Sequence, residues 1–125
     1  MDHAAVEDWV ATYVRVWRTP GTDGLALLFT PEASYRPSPW ADPVVGESAL
    51  ARFWEAERAG PDEVFTFTSE VVAVDRRTAV VRVAVEYTVE RSGPWRDLWV
   101  LEFAGDGRCS SFEEWPFAPG RPGGI

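Results

Sequence analysis

Two β-rich runs joined by an Asp-Gly pair constrain the fold of this chain more than any other feature. The runs are residues 95–103 and 108–115, and Asp106-Gly107 lies between them. An Asp-Gly pair flanked by strand-forming residues is a strong short-range signal for a β-hairpin, because glycine readily adopts the left-handed conformation that such a turn requires. The sequence therefore predicts an antiparallel hairpin here.

The type of turn decides which side chains of the hairpin share a face. A type I turn with Gly107 in a G1 bulge pairs Phe103 with Cys109, and counting along both strands then places Trp99 opposite Glu113. Side chains alternate between the two faces of a strand. In this register one face, predicted to point inward, carries Asp97, Trp99, Leu101, Phe103, Cys109, Ser111, Glu113 and Trp115.

A second turn type leads to a different inner face. A two-residue turn would shift the second strand by one residue and exchange Glu113 for Glu114. We prefer the bulged turn because it directs Cys109, rather than Ser110, inward beside Phe103.

The chain before the hairpin predicts three helices followed by long strands. Apolar residues recur at helical spacing over residues 6–17, and shorter helices are predicted after Asp23 and after Gly46. β-branched runs over residues 64–74 and 78–90 are typical of strands. Helices first and antiparallel strands afterwards describe an α+β domain.

The predicted architecture leaves room for a ligand. The 125 residues are enough for one domain. We assign residues 1–117 to it and residues 118–125, rich in Pro and Gly, to a flexible tail. The predicted fold packs three N-terminal helices on a strongly curved antiparallel sheet. Three helices cannot fill the hollow of such a sheet, so a cone-like cavity is predicted between the first helix and the sheet.

Composition limits the partners. A formal net charge of −8 argues against nucleic acid and against anionic membrane surfaces. Neither a membrane span nor a signal peptide is indicated, so the expected location is the cytoplasm. One Cys and one His cannot form a structural zinc site, and no nucleotide-binding motif is present, so neither a metal nor a cofactor is expected. Seven Trp and seven Phe favour a small, largely apolar ligand.

Three segments together resemble a known superfamily. They are Leu-Phe-Thr-Pro-Glu-Ala-Ser-Tyr at 28–35, Gly46 with Leu-Ala-Arg-Phe-Trp at 50–54, and the Phe-Ala-Gly-Asp-Gly-Arg-Cys hairpin with its Glu-Glu-Trp ending at 103–115. They resemble the nuclear transport factor 2-like superfamily, and its SnoaL-like branch in particular. The resemblance covers about residues 4–117 and implies three helices on a curved sheet, often in a homodimer. Such a fold hosts enzymes, binding modules and assembly domains.

The enzymes of this superfamily imply different catalytic groups. Ketosteroid isomerases place a Tyr on helix one and an Asp on each of two strands, whereas the matching positions here are Trp9, Pro37 and Trp99, which cannot perform that chemistry. Dehydratases of the scytalone type depend on histidines, and this chain has only His3. SnoaL-type cyclases use a cavity carboxylate on a late strand, a position that Glu113 would occupy.

Glu113 is the predicted acid–base residue. Apolar walls formed by Trp99 and Trp115 would raise its pKa towards neutrality. Asp97 would lie diagonal to Glu113, about 7–8 Å apart at Cβ, and could share the acid and base roles. The structural alternatives remain open: Glu113 could pair with an arginine, and Asp97 could bond to turn amides.

Aromatic side chains are predicted to line the cavity, although each could equally serve the core. They are Trp9, Tyr13, Tyr35, Trp54, Trp99 and Trp115. The opposite sheet face would expose Leu98, Val100 and Phe112 and form a homodimer interface.

Two functions therefore remain. One is a cofactor-independent acid–base enzyme of the isomerase, cyclase, dehydratase or epoxide hydrolase type. The other is a non-catalytic ligand-binding or dimerisation module.

Overall fold

The computed structural model describes residues 1–58, 65–87 and 94–118. Its elements, in chain order, are α1 (His3–Trp17), α2 (Leu25–Leu28), β1 (Phe29–Arg36), β2 (Val44–Val45), α3 (Glu47–Glu57), β3 (Phe65–Asp75), β4 (Thr78–Tyr87), β5 (Trp95–Phe103) and β6 (Cys109–Phe117). Residues 64 and 88–90 of the predicted strands and residues 119–125 of the predicted tail lie outside the described residues.

The α+β fold class is confirmed, with one difference in the sheet. The six described strands lie in the order β2-β1-β6-β5-β4-β3. Strand β1 runs parallel to β6, whereas the other neighbouring pairs are antiparallel, so the sheet is mixed rather than wholly antiparallel. A parallel neighbour is possible here because β1 and β6 are joined by a long stretch of chain instead of a tight turn.

Helix α1 packs its apolar stripe within the core. The helix begins after Asp2, whose side chain accepts a hydrogen bond of 2.8 Å from the backbone N–H of Ala5. Its buried side chains recur at helical spacing and are Val6, Trp9, Val10, Tyr13 and Val16.

The C-terminal end of α1 is tied to α3 by Arg58. This buried guanidinium donates hydrogen bonds to the carbonyls of Thr19 at 2.7 Å and Gly21 at 2.8 Å, and a longer one of 3.3 Å to that of Trp17. Trp17 is the last residue of α1, and Thr19 and Gly21 lie in the loop after it, so the arginine holds both the helix end and this loop against the end of α3.

The turn of the β5–β6 hairpin is as predicted. Gly107 has a φ of 87°, the backbone N–H of Ala104 donates to the carbonyl of Arg108 at 2.8 Å, and Phe103 pairs with Cys109. A short turn fits here because glycine has no Cβ to oppose the left-handed conformation.

The register beyond that turn differs from the prediction by one residue. The pairing shifts between Phe103 and Glu102, so Ser110 is an extra residue in β6 and Ser111 pairs with Glu102. This is a β-bulge, and from it onwards Trp99 faces Glu114 rather than Glu113.

The bulge exchanges the two faces of β6. Phe112, predicted on the outer face, is only 1% exposed, and its ring stacks on Tyr35 at 4.4 Å and on Tyr13 at 5.8 Å between centroids. Trp115, predicted to point inward, is 41% exposed. The predictions for both side chains are wrong for the same reason, because one extra residue reverses every later position of a strand.

Candidate active site

A cavity of about 280 Å³ lies between α1, α3 and the sheet. Small-molecule sites begin at about this size. Aromatic side chains make up most of the wall, among them Tyr13 and Trp17 from α1, Tyr35 from β1, and Trp95 and Trp99 from β5.

Three of the six aromatic residues predicted to line the cavity do so in the structure, and three do not. Tyr13, Tyr35 and Trp99 line it. Trp9 and Trp54 do not: both are buried in the core, and the indole N–H of Trp9 donates to the carbonyl of Leu28 at 3.0 Å. The spacing of apolar residues along a helix cannot show whether a residue lies in the packed core or on the cavity wall, because water is excluded from both.

Trp115 and Glu113 do not reach the cavity wall either. The bulge turns both side chains to the other face of the sheet, where the indole N–H of Trp115 donates to Glu113 Oε1 at 3.1 Å. The predicted placement of Glu113 beside Trp99 is therefore wrong, and the second of the two glutamates takes that position.

Asp97 and Glu114 form a pair of carboxyl groups on the cavity wall. Asp97 pairs with Pro116 across the β5–β6 ladder, so Glu114 lies on the adjacent diagonal. This is the relation that the sequence predicted for Asp97 and Glu113. Asp97 is 7% exposed, so little water reaches its side chain.

A side-chain hydrogen bond links the two carboxyl groups, and the pKa of each is raised. Burial raises the pKa of Glu114 well above its ordinary value, and the neighbouring Asp97 raises it further by accepting the proton of Glu114 in a hydrogen bond and by charge repulsion. Burial also raises the pKa of Asp97, while hydrogen bonds from Glu114 and from the backbone of Phe117 oppose that rise. The pKa of Glu114 is thus the more strongly raised of the two, so Glu114 is the carboxyl group that favours its protonated form.

Two polar atoms of this wall have no hydrogen-bond partner among the described residues. They are Asp97 Oδ1 and the indole nitrogen of Trp99, both fully enclosed. The Trp99 N–H lowers the pKa of Glu114 somewhat, but its geometry falls short of a complete hydrogen bond. An unpaired buried polar atom is costly, about 1–3 kcal/mol, which favours a ligand that pairs with it.

Tyr13 and Tyr35 add a second polar feature to the wall. Their hydroxyl oxygens are 3.1 Å apart. Burial raises the pKa of both phenols well above the usual value, so both keep their protons. Only one hydroxyl hydrogen is needed between the two oxygens, and the other can be donated to a ligand.

Other kinds of site find little support in the described residues. No group of three or more His, Cys, Asp or Glu side chains there is arranged to hold a metal ion. Cys109 is buried, and burial raises the pKa of its thiol to about 12. None of the helices in residues 1–58, 65–87 and 94–118 is long and apolar enough to cross a membrane.

Solved structures with a similar fold include enzymes and proteins without a known role. The epoxide hydrolase/cyclase-like enzyme SalBIII, described in pyran ring formation in polyether salinomycin, is 19% identical, with 93% of each chain covered and a TM-score of 0.70. A steroid delta-isomerase from Pseudomonas aeruginosa is 20% identical, with 94% of this chain and 82% of that chain covered and a TM-score of 0.65.

A third structure is a SnoaL-like protein of unknown function from Burkholderia thailandensis. It is 15% identical, with 94% of this chain and 99% of that chain covered and a TM-score of 0.72. No curated protein matches the chain. At these identities the structural likeness establishes the fold alone.

Sequence similarity assigns the family. The model of the SnoaL-like domain matches residues 10–112, which span α1 to the middle of β6. The resemblance to the SnoaL-like branch of the nuclear transport factor 2-like superfamily is thus confirmed. This chain belongs to the SnoaL-like domain family.

Proposed function

We propose that this protein binds a small, largely apolar molecule in the aromatic cavity and catalyses a proton-transfer reaction on it without a cofactor. The observation that carries the proposal is the Asp97–Glu114 pair, two hydrogen-bonded carboxyl groups on one wall of an aromatic cavity. Environments that separate the pKa values of two such groups are typical of an acid and a base with divided roles.

The pair can act on both ends of a reacting molecule. In the opening of an epoxide by an internal hydroxyl group, Asp97 would remove the hydroxyl proton as the oxygen attacks the epoxide carbon. The carbon–oxygen bond of the epoxide breaks, and Glu114 gives its proton to the oxygen released. The proton held by Asp97 then returns to Glu114 through their hydrogen bond, which restores the starting state.

Isomerisation, cyclisation and dehydration need the same two proton movements, at carbon or at oxygen. The surrounding rings support this chemistry because charge interactions are stronger where water is excluded. Tyr13 or Tyr35 would orient the ligand by donating a hydrogen bond to one of its oxygens. The activities named for SalBIII and for the Pseudomonas aeruginosa isomerase belong to this class and support the proposal.

A substrate panel with three single variants tests the proposal. We would incubate the protein with hydroxy-epoxides, β,γ-unsaturated ketones and β-hydroxy ketones at pH 7 and measure products by mass spectrometry and NMR. Glu114→Gln and Asp97→Asn should each lower the rate on any accepted substrate by about 10²–10⁴-fold. Glu113→Gln is the matched control, because its side chain lies on the opposite face, and it should retain the wild-type rate.

A second candidate function is a ligand-binding or dimerisation module without catalysis. Turnover that survives Glu114→Gln, or ligand binding with no turnover of any class, would favour it. The specific observation behind dimerisation is the exposed pair of Leu98 and Trp115, which face each other across β5 and β6 on the outer face of the sheet. The cytoplasmic location stays a prediction of the sequence.

A further inference from the structure

The charged side chains of the cavity wall all have the same sign in the described residues. They are Asp97, Glu114 and, from α3, the more exposed Glu57; no lysine or arginine in that part of the chain lines the cavity. Nine of the lining residues are aromatic. Aromatic faces are negative, so rings and carboxyl groups here favour the same sign of ligand charge.

We propose that the ligand of this cavity carries a cationic nitrogen, as an alkylammonium group does, on an apolar body. The inference rests on the proposed function, because it narrows the substrate class of the same site. The aromatic wall would hold the apolar body, and the carboxyl pair would hold the nitrogen.

The unpaired oxygen of Asp97 is the acceptor to which the ligand nitrogen would donate a hydrogen bond. Asp97 Oδ1 is buried, accepts no hydrogen bond from any described residue and belongs to a residue that lines the cavity. An ammonium group has three N–H donors and no acceptor, so it would satisfy this oxygen once a rotation of the carboxyl group brings it to the cavity surface. A hydroxyl group could donate to the same oxygen, but it would leave the charge of the pair without a counterion.

The rings contribute independently of the carboxyl groups. Trp17, Trp95 and Trp99 line the cavity, and indole is the side chain whose face attracts cations most strongly. An enclosed arrangement of such rings is a known means of binding organic ammonium ions.

Charge also predicts what the site excludes. With a proton on Glu114 and none on Asp97, the two cavity-lining carboxyl groups would carry one negative charge, which a cation neutralises and an anion repels. A carboxylate ligand would meet like charge in an apolar environment, where repulsion is poorly screened. A bound cation also lowers the pKa of Glu114, so its binding should release protons.

Three ligands of almost identical shape test the inference by binding alone. They are 2-phenylethylammonium, 2-phenylethanol and phenylacetate, each titrated at pH 7 by calorimetry and by tryptophan fluorescence. We expect the ammonium to bind at least about tenfold more tightly than the alcohol, and phenylacetate not to bind over the same range. Calorimetry in buffers of different ionisation enthalpy should show proton release with the ammonium only.

Variants then identify the groups responsible. The double variant Asp97→Asn/Glu114→Gln should lose about tenfold more affinity for the ammonium than for the alcohol, whereas Glu113→Gln should change the affinity for neither. Circular dichroism checks that each variant is folded. If the double variant does not fold, the comparison of the three ligands on the wild-type protein decides.

The outcomes separate this inference from the proposed function. Equal binding of alcohol and ammonium, or an ammonium affinity that survives the double substitution, overturns the cationic ligand and leaves the cavity as a site for apolar molecules. Failure of all three ligands to bind overturns the cationic ligand, while turnover of the hydroxy-epoxides and ketones still decides the proposed function. A tighter ammonium complex that releases protons and depends on the carboxyl pair supports both the site and its charge.

Discussion

A carboxyl group enclosed by aromatic rings is more stable with its proton than without it. Glu114 is such a group, and Asp97 beside it acts in the same direction as burial. Folding therefore favours the protonated form, while the unfolded chain loses that proton near the ordinary pKa of 4.5. The free energy of unfolding should then decrease as the pH rises above that value towards the higher pKa of the folded state.

The substitution Glu114→Gln should remove most of this pH dependence. An amide has no proton to lose, and its N–H can donate to Asp97 as the protonated carboxyl does. We expect the variant to exceed the wild type in free energy of unfolding by about 1–3 kcal/mol at pH 8. Urea unfolding from pH 5 to pH 9 measures it. Equal pH dependence in wild type and variant would contradict the raised pKa of Glu114, and Glu113→Gln is the control.

Two polar atoms at the carboxyl pair are buried without hydrogen bonds to described residues, which is energetically unfavourable. Asp97 Oδ1 and the indole nitrogen of Trp99 are enclosed without partners in the described part of the chain. Fully satisfied polar groups are the rule in protein interiors, so exceptions that cluster on one wall are more consistent with a ligand site than with a structural core. The Trp54 indole nitrogen is also unpaired, but it lies away from the cavity wall, and we have no explanation for it.

At the scale of elements, the β5–β6 hairpin has a turn that can be tested separately from its bulge. Gly107 has a φ of +87°, and an added Cβ would meet nothing within 4 Å. Gly107→Ala should therefore destabilise the protein only through backbone strain, by about 1–2 kcal/mol, and Gly107→Asn by less.

Urea unfolding of these variants has an internal control in the same loop. Gly105 lacks a left-handed φ, and a Cβ there would make an ordinary contact of 3.6 Å with Arg77. Gly105→Ala should thus stay within about 0.5 kcal/mol of the wild type. A Gly107→Ala variant as stable as Gly105→Ala would show that the turn does not need a left-handed residue.

The elements of this chain could largely be predicted from its sequence, and the register could not. Helical spacing identified α1, and the Asp-Gly pair identified the turn, because both signals are local. The bulge at Ser110 leaves no such local signal. A signal was nevertheless available: the shifted register buries Phe112 instead of Ser111, and burying an aromatic ring is favourable where burying a hydroxyl group is not.

The difference between local signals and strand register also explains which residues of the candidate site could be predicted. Asp97, Tyr13, Tyr35 and Trp99 line the cavity as the sequence proposed, since their positions do not depend on the bulge. The position of the cavity glutamate does depend on the bulge. The sequence therefore predicts Glu113 on the cavity wall, whereas Glu114 lies there in the structure.

At the scale of the whole molecule, the sheet is covered unequally. Helix α1 contributes to the core on one side, while Leu98 and Trp115 on the other side are 39% and 41% exposed. The neighbouring Arg82 pairs with Leu98 across the β4–β5 ladder and forms an ion pair with Glu70. An apolar centre with charged residues beside it is the usual composition of a protein interface.

We expect a homodimer formed through this face. Sedimentation velocity should show twice the mass of one chain, and Leu98→Lys/Trp115→Lys should reduce it to the mass of one chain, because two added charges oppose burial of the patch. Leu27→Lys is the control, since Leu27 is an even more exposed apolar side chain, at 66%, and lies on α2 away from this face. A wild-type protein that remains monomeric at 0.1 mM, or lysine variants that still dimerise, would contradict the interface.

The extra residue in β6 also affects how relatives of this protein should be compared. Alignment programs match letters in order and place gaps in loops, whereas this insertion lies inside a strand, two residues beyond the turn residue Arg108. A homologue without the insertion would have its cavity carboxylate one column away from Glu114, beside a neighbour that points to solvent. Conservation scores for either column would then average two unrelated positions. Columns counted from Phe112 and Trp99, which are buried in this chain, would keep the cavity carboxylates together.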